Sequence, residues 1–200
     1  MNIIDTPISL LIFITTIAIS IIAFSRQQFI NKLILRPYFV IRQNRWHTII
    51  TSGFIHSDWG HLIFNMLTFY FFCFDLERWI GGSKFLIIYF LSMIIADIPS
   101  IIKNKNNINY GSLGASGAIS GALFSSIILN PSAKLLIFPI PFPIPAPIFA
   151  ILYLVYCVYL SKNSQDNINH SAHFWGALTG IILTIILVPE SINSIVGYFS

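Results

Sequence analysis

Gly111-Ser112-Leu113-Gly114-Ala115-Ser116-Gly117-Ala118 opens an apolar run that extends to about Leu129 and holds a central serine among small residues. Two interpretations are open here. Small residues let helices approach closely in a bilayer, and Gly117-x-x-x-Gly121 is a helix-contact pattern. A serine near a helix N-terminus, where backbone N–H groups are free, can instead act as a nucleophile for acyl transfer. The stretch alone favours packing, because small-residue motifs far outnumber nucleophiles in membrane helices.

The composition is that of a membrane protein. Hydrophobic residues make up 56% of the 200 residues and charged residues 9%, and the mean hydropathy is +0.78. A soluble domain has about 25% charged residues. We therefore predict an all-α polytopic membrane protein with six spans, forming a single domain over residues 1–200. The apolar runs of spanning length, about 17–25 residues, lie at about 7–24, 59–80, 84–102, 113–130, 143–161 and 172–189.

Charge and cysteine content exclude several classes of function. The net charge of +4 comes from loop Lys and Arg residues and suits lipid headgroups. The sequence lacks a basic patch interleaved with aromatics, so nucleic acid is not an expected partner. Cys73 and Cys157 both fall inside predicted spans, which disfavours a disulfide and is too few for a structural metal site. We expect no metal and no cofactor.

Predicted spans two and three hold polar residues that bear on function. His61 and Asn65 are four residues apart and share one helix face. Polar groups inside a membrane helix are costly and turn toward the protein interior or a water-filled cavity. The pair is either an interhelical hydrogen-bond clamp or part of a functional site. Asp97 lies near the end of span three, before Pro99, and is predicted to cap the helix or meet solvent rather than join a triad.

The C-terminal third of the chain contains a proline run and a histidine on a glycine stripe. Between 139 and 147 proline occupies every second residue, which predicts an extended segment and delays the fifth helix to about Ala146. In the last span His173, Gly176 and Gly180 fall at i, i+3 and i+7, so they share a face. His170 lies outside the predicted span and is interpreted as a loop histidine.

Alternating topology brings the polar residues together. His61, Ser116 and His173 lie near the starts of spans two, four and six, and even-numbered helices run in the same direction. At about 1.5 Å of rise per residue, all three lie at a similar shallow depth on one side of the bilayer. The sequence therefore predicts an acyl-transfer site, with Ser116 as nucleophile, His173 as general base, and His61 and Asn65 as donors to an oxyanion.

Three motifs resemble those of the rhomboid intramembrane serine proteases. Gly114-Ala115-Ser116-Gly117 resembles their GxSG, and His61-Leu62-Ile63-Phe64-Asn65 resembles their HxxxN. Ala172-His173-Phe174-Trp175-Gly176-Ala177-Leu178-Thr179-Gly180 resembles their AHxxGxxxG. The resemblance extends from about Trp46 to Val188, in the same order.

The resemblance implies hydrolysis of peptide bonds within or beside transmembrane segments of other proteins, without a cofactor. It implies a Ser–His dyad of Ser116 and His173, and an oxyanion site from the Ser116 backbone N–H, His61 and Asn65. It also implies that 25–57 is a membrane-embedded loop, and that the fifth span with 162–169 admits substrate.

Three features depart from the family pattern. The first-loop Trp-Arg pair typical of the family is Trp46-His47 here. Ser120 stands where some members stack an aromatic on the histidine, so His173 is expected to be held against Gly117 and Gly121 instead. The family's cytoplasmic N-terminus would also put eight of the eleven Lys and Arg residues outside, whereas the positive-inside rule argues for the reverse orientation.

Other functions are compatible with parts of the sequence. One is an inactive rhomboid-like factor that binds membrane proteins. Another is a small transporter, although its polar groups would be spread through the bilayer depth rather than clustered at one rim. His47, His56 and His61 lack the HExxH spacing of a zinc protease. Transmembrane protein substrates and the lipid bilayer are the expected partners, and a bacterial cytoplasmic (inner) membrane is the expected location.

Overall fold

The protein is built mostly of α-helices, as predicted. The computed structural model describes residues 3–137, 140–163 and 168–200. A short two-stranded antiparallel sheet is also present. In chain order, the elements are α1 Pro7–Phe24, α2 Gln27–Leu33, α3 Pro37–Gln43, α4 Thr48–Thr51, α5 Trp59–Ile80, α6 Gly82–Asn104, α7 Ser116–Leu129, β1 Lys134–Leu135, β2 Ile144–Pro145, α8 Ala146–Asn163, α9 His170–Leu187 and α10 Ser191–Phe199.

Four described helices, α1, α6, α8 and α9, are long and apolar enough to cross a membrane. Each of the six predicted spans coincides with a helix, but α5 and α7 are not both long and apolar enough to be among these four. The polar residues of α5 lower its hydropathy, and α7 has only 14 residues. The predicted span 113–130 therefore begins too early: the helix starts at Ser116, after a glycine in the left-handed region.

Helix α7 lies at the centre of the bundle. Every residue from Gly117 to Ile127 is buried, so the helix is surrounded by protein on all sides. It packs against α5, α6 and α9, and large aromatic side chains fill the space toward α1. Phe69, Phe74 and Tyr89 are fully buried there. Because lipid is as apolar as these side chains, they stabilise the bundle through van der Waals packing rather than through exclusion of water.

Glycines bring the backbones of α7 and α9 into contact. A Cβ on Gly176 would overlap the carbonyl of Gly117, and a Cβ on Gly180 would overlap that of Gly121. On the other side of α7, a Cβ on Gly117 would stand 2.7 Å from the Cβ of Ala96 in α6. The predicted close packing along this glycine stripe is therefore confirmed.

Residues 25–57 fold into three short α-helices, α2 to α4, and a 3-10 helix at Ser52–Phe54, and this segment is tied to the entrance of α7. Leu35 and Ser112 form an isolated antiparallel bridge, with N···O distances of 3.1 and 2.9 Å. The Gly114 N–H donates to the carbonyl of Ser52 over 2.9 Å. The stretch before Ser116 is thus held by two parts of this connection.

The proline run is extended only in part: Ile144–Pro145 forms a strand, whereas Pro141 and Phe142 lie in a bend and Pro147 is inside α8. Strands β1 and β2 pair through Lys134 with Pro145 and Leu135 with Ile144. The Ala146 N–H donates to the Ala133 carbonyl over 2.9 Å, and α8 begins at Ala146, where the sequence predicts it. Residues 138–139 of the run and 164–167 of the predicted 162–169 segment lie outside the described residues.

Two predictions about polar residues are wrong. Asp97 does not end or cap its helix: α6 continues through Pro99 to Asn104, and Asp97 is buried within it. His170 is not a loop histidine but the first residue of α9, and it is also buried. In both cases tertiary packing covers a side chain that the linear sequence places near a polar loop.

Candidate active site

Ser116 is the first residue of α7 and is half-buried. The preceding residue, Ala115, has no side chain that can cap the helix, and the backbone bonding of the helix begins with Ile119 N–H donating to the Ala115 carbonyl. The N–H groups of the first turn therefore point away from the helix, where they attract negative charge. The predicted span from about 113 would place Ser116 inside its helix, whereas the structure places it at the helix start.

The imidazole of His61 lies against the backbone just before Ser116. Gly114 has a φ of +110°, and a Cβ at this position would stand 2.7 Å from both Cε1 and Nε2 of His61. Only glycine satisfies both the backbone conformation and the close approach. The structure thus brings His61 and the N-terminus of α7 together, as the sequence predicts.

The other ring nitrogen of His61 faces a short hydrogen-bonded chain. Ser57 Oγ donates to Asp58 Oδ2 over 2.6 Å and lies 3.1 Å from His61 Nδ1. The Ser57 hydroxyl has a single proton, so while it bonds Asp58 it accepts from His61 Nδ1–H. In a neutral ring Nε2 is then an acceptor. Nε2 becomes a donor when Ser57 turns its proton to Nδ1 or when the ring is protonated.

Asp58 anchors this chain and begins α5. Its Oδ1 accepts from the His61 backbone N–H over 2.9 Å, which caps the helix. The hydrogen bond from Ser57, followed by that from the His61 N–H, lowers the pKa of Asp58. The carboxylate is therefore an anion that holds Ser57 beside His61.

A second histidine, His56, packs against His61. The two rings are edge to face, with 4.8 Å between their centroids. Ser20 Oγ donates to the Phe54 carbonyl over 3.0 Å and therefore accepts from His56 Nδ1–H over 2.9 Å. Burial, with a smaller contribution from His61, lowers the pKa of His56 to about 3. His56 is thus neutral and packs against His61. From the sequence it is known only that this histidine precedes the helix.

Asn65 follows one turn after His61 and is buried. Its Nδ2 donates one hydrogen to the His61 carbonyl over 2.9 Å. The amide keeps a second N–H and an acceptor oxygen for other partners. His61 and Asn65 therefore form a polar strip along α5.

His173 lies at the same end of the α7–α9 contact as Ser116. It follows Ala172, whose carbonyl is 3.7 Å from the Cβ position of Gly117, and it precedes Gly176 by three residues. Its ring is stacked on that of Tyr153 from α8, with 6.5 Å between centroids and 16° between planes. The glycine contact was predicted, whereas Tyr153 was missed, because nothing in the sequence of α8 distinguishes it from the neighbouring aromatics.

Asn169 joins α9 to the stretch that precedes Ser116. Its Oδ1 accepts from the Ala172 N–H over 3.1 Å, which caps α9. Its Nδ2 donates to Ser100 Oγ at 2.9 Å and Ser112 Oγ at 3.2 Å. One side chain thus fixes the helix that carries His173 relative to α6 and the α7 entrance.

The residue types at this site suit acyl transfer. Within 3–137, 140–163 and 168–200 there is no group of three or more His, Cys, Asp or Glu side chains that could hold a metal ion. Cys73 and Cys157 are both buried free thiols. A hydroxyl, an imidazole and nearby N–H donors are the groups that nucleophilic catalysis on a carbonyl requires.

Comparison with known proteins supports one family. Residues 43–190 match the model of the rhomboid domain. The chain is 29% identical over 150 residues to the putative rhomboid protease YdcA of Bacillus subtilis, covering 75% of this chain and 71% of that protein. It is 31% identical over 138 residues to the mitochondrial rhomboid protein 1 of Saccharomyces cerevisiae, covering 68% and 40%.

A third relative is the rhomboid protease AarA of Providencia stuartii, with 29% identity over 167 residues, covering 74% of this chain and 59% of that protein. The chain thus spans about half the length of the last two relatives. The family match covers most of the chain, and the helices supply its apolar spans. The chain is a multi-pass membrane protein that belongs to the rhomboid family.

Proposed function

We propose that this chain is an intramembrane serine endopeptidase that hydrolyses peptide bonds in or near transmembrane segments of other membrane proteins. The carrying observation is the glycine contact between α7 and α9, because it holds Ser116 and His173 at one end of two touching helices. The relatives that are named rhomboid proteases support the same reaction.

In the proposed reaction Ser116 Oγ attacks the substrate carbonyl carbon while the His173 imidazole takes its proton. The oxyanion forms near the Ser116 backbone N–H at the start of α7. His173 then gives its proton to the departing amine, which leaves an acyl-enzyme. Water, deprotonated by His173, releases the new carboxylate and restores the Ser116 hydroxyl.

His61 and Asn65 are the proposed side-chain donors to the oxyanion. Asn65 has a spare N–H, and His61 Nε2 faces Gly114 beside the nucleophile. For His61 to donate from Nε2, the Ser57 proton turns from Asp58 to Nδ1, or the ring carries both protons. Each well-placed donor contributes about 10²–10³ to the rate.

The proposed architecture is a single rhomboid-like domain over residues 1–200 with six spans. Two of these spans differ from the rest. Helix α5 is less apolar and carries His61, and helix α7 is short and carries Ser116. A polar or short helix crosses a bilayer when other helices shield it, and α7 is buried along its length. The proposed location is a bacterial cytoplasmic membrane, with transmembrane proteins as substrates.

A fluorophosphonate probe tests the nucleophile. Wild type, Ser116→Ala, His173→Ala and the control Ser161→Ala are labelled in detergent. Ser161 is a partly exposed serine whose hydroxyl donates to the Val158 carbonyl of its own helix over 2.8 Å, so its proton is directed to a carbonyl rather than to a base. We expect label on Ser116 in wild type and Ser161→Ala, and a loss of at least about 10³-fold in the other two.

Folding of each variant is checked by size exclusion and thermal unfolding. Equal labelling of Ser116→Ala, or no label on folded wild type, would overturn the dyad. Cleavage of a transmembrane reporter in proteoliposomes then separates a protease from an inactive binding factor, which would retain the reporter uncut.

A further inference from the structure

The aromatic ring that covers His173 comes from a different helix than the nucleophile. Tyr153 lies on α8 and is nearly parallel to the imidazole, with 16° between planes and 6.5 Å between centroids. Ser116 and the position one turn after it, Ser120, lie on α7. His173 therefore lies on a helix whose glycines contact the backbone of α7, while its own ring is stacked on an α8 side chain.

Several contacts fix the Tyr153 ring itself. Its hydroxyl lies 3.1 Å from Ser120 Oγ on α7. The ring contacts those of Phe124 on α7 and Phe149 on α8, each with 5.5 Å between centroids. Because Ser120 is small, the tyrosine reaches across from α8 and its hydroxyl meets α7. The ring thus has one defined position over His173.

Helix α8 is attached to the bundle at few places. Of its described residues only Ala146 and Cys157 are buried, and half of its side chains are exposed. Its first residue is held by the β1–β2 pair and by the bond from Ala146 to Ala133. Tyr153, two turns further on, contacts both α7 and α9. A displacement of α8 that separates these contacts would also uncover His173.

We propose that Tyr153 is a positioning residue for His173, and that the histidine is correctly oriented only while α8 is seated against α7 and α9. We rest this inference on the proposed function of His173 as general base. The packing of α8 then governs reactivity of Ser116, because a misplacement of about 1 Å at a catalytic group can cost about 10²-fold in rate.

Three variants distinguish the contribution of the Tyr153 ring from that of its hydroxyl and from that of the helix that carries the ring. Tyr153→Phe keeps the ring, and Tyr153→Ser removes it. The exchange Ser120→Tyr with Tyr153→Ser returns a ring from α7 and conserves the total side-chain volume. Tyr153→Leu replaces Tyr153→Ser if the latter does not fold, which thermal unfolding reports.

The first readout is the rate constant of fluorophosphonate labelling at Ser116 under saturating probe. We expect Tyr153→Phe to remain within about threefold of wild type and Tyr153→Ser to lose about 10–10²-fold, with the apparent binding constant of the small probe unchanged. The exchange variant regains most of the wild-type rate. A wild-type rate in folded Tyr153→Ser, or an equal loss in Tyr153→Phe, overturns the inference.

The second readout does not depend on catalysis. Diethyl pyrocarbonate acylates accessible neutral imidazoles, and the exposed His47 serves as the internal reference. We expect modification of His173 to rise severalfold in Tyr153→Ser and to stay at the wild-type level in Tyr153→Phe and in the exchange variant. An unchanged rate in Tyr153→Ser overturns the inference. If wild type is not labelled at Ser116 while this pattern holds, the proposed function fails and the positioning contact stands.

Discussion

The imidazole of His56 packs edge to face against that of His61, with 4.8 Å between ring centroids. His56 is completely buried, and its Nε2 has no hydrogen-bond partner among the residues that the structure describes. The pair connects α1, through Ser20, with the polar strip of α5 that faces the start of α7. The stability of this side of the site therefore depends on His56 being neutral.

Burial lowers the pKa of His56 from 6.5 to about 3, so the unfolded chain binds more protons between these values. His56 accordingly contributes stability that is fully present above pH 6.5 and is lost as the pH falls toward 3, by up to about 1.4 kcal/mol per pH unit. We expect His56→Asn, which keeps a donor for Ser20, to flatten the fall in melting temperature between pH 7 and pH 5. His47→Asn, at an exposed position, should leave it unchanged; an equally steep fall in His56→Asn would contradict the prediction.

Glu77 ties α5 to the start of α1. Its two carboxylate oxygens accept from the backbone N–H groups of Ile8 over 3.1 Å and Ser9 over 2.6 Å. Hydrogen bonds to a buried charged group contribute about 1.5–3 kcal/mol. We expect Glu77→Ala to lower the free energy of unfolding by at least this amount, measured by denaturant titration in detergent.

The matched control for Glu77 is Asp75→Asn. Asp75 pairs with Arg78 on the exposed surface, where an ion pair contributes at most about 1 kcal/mol. A loss at Glu77 no larger than that at Asp75 would show that the helix start does not need this acceptor.

Gly176→Ala tests the contact that holds Ser116 and His173 together. The added methyl group would overlap the Gly117 carbonyl, so α7 and α9 must separate. We expect a loss of about 1–3 kcal/mol in stability and of most fluorophosphonate labelling. Gly197→Ala in α10 meets no atom within 4 Å and should be neutral or stabilising by up to about 1 kcal/mol. Unchanged labelling in Gly176→Ala would show that the reactivity of Ser116 does not depend on the contact between α7 and α9.

Asn169 has two roles that substitution can separate. Asn169→Ala loses both the cap of α9 and the bonds to Ser100 and Ser112. Asn169→Ser keeps a capping oxygen but is too short to reach the other two hydroxyls. Loss of the cap costs about 0.5–2 kcal/mol, so we expect the serine variant to recover thermal stability but not the labelling rate of Ser116.

Asn193→Ala, at an exposed position of α10, serves as the control for the asparagine variants. Recovery of both stability and labelling in Asn169→Ser would assign Asn169 to capping alone.

The positions of the helices were largely predictable because apolar composition and small-residue spacing are local properties. The run at 7–24 is α1, the run at 59–80 is α5, and the prolines delay α8 to Ala146. The contact of Gly176 and Gly180 with α7 was also predictable, because a glycine stripe at helical spacing lets backbones touch. The roles of Ser116, His173, His61 and Asn65 stay predictions that the labelling experiments test.

By itself, the sequence determined that this is a helical membrane protein of the rhomboid family, since composition and motif spacing are carried by neighbouring residues. The tertiary structure decided what surrounds the candidate site: Tyr153 over His173, His56 under His61, and the start of α7 at Ser116. It also buried Asp97 and His170. These features join residues from separate helices, and their meeting depends on how the helices cross, which no local periodicity encodes.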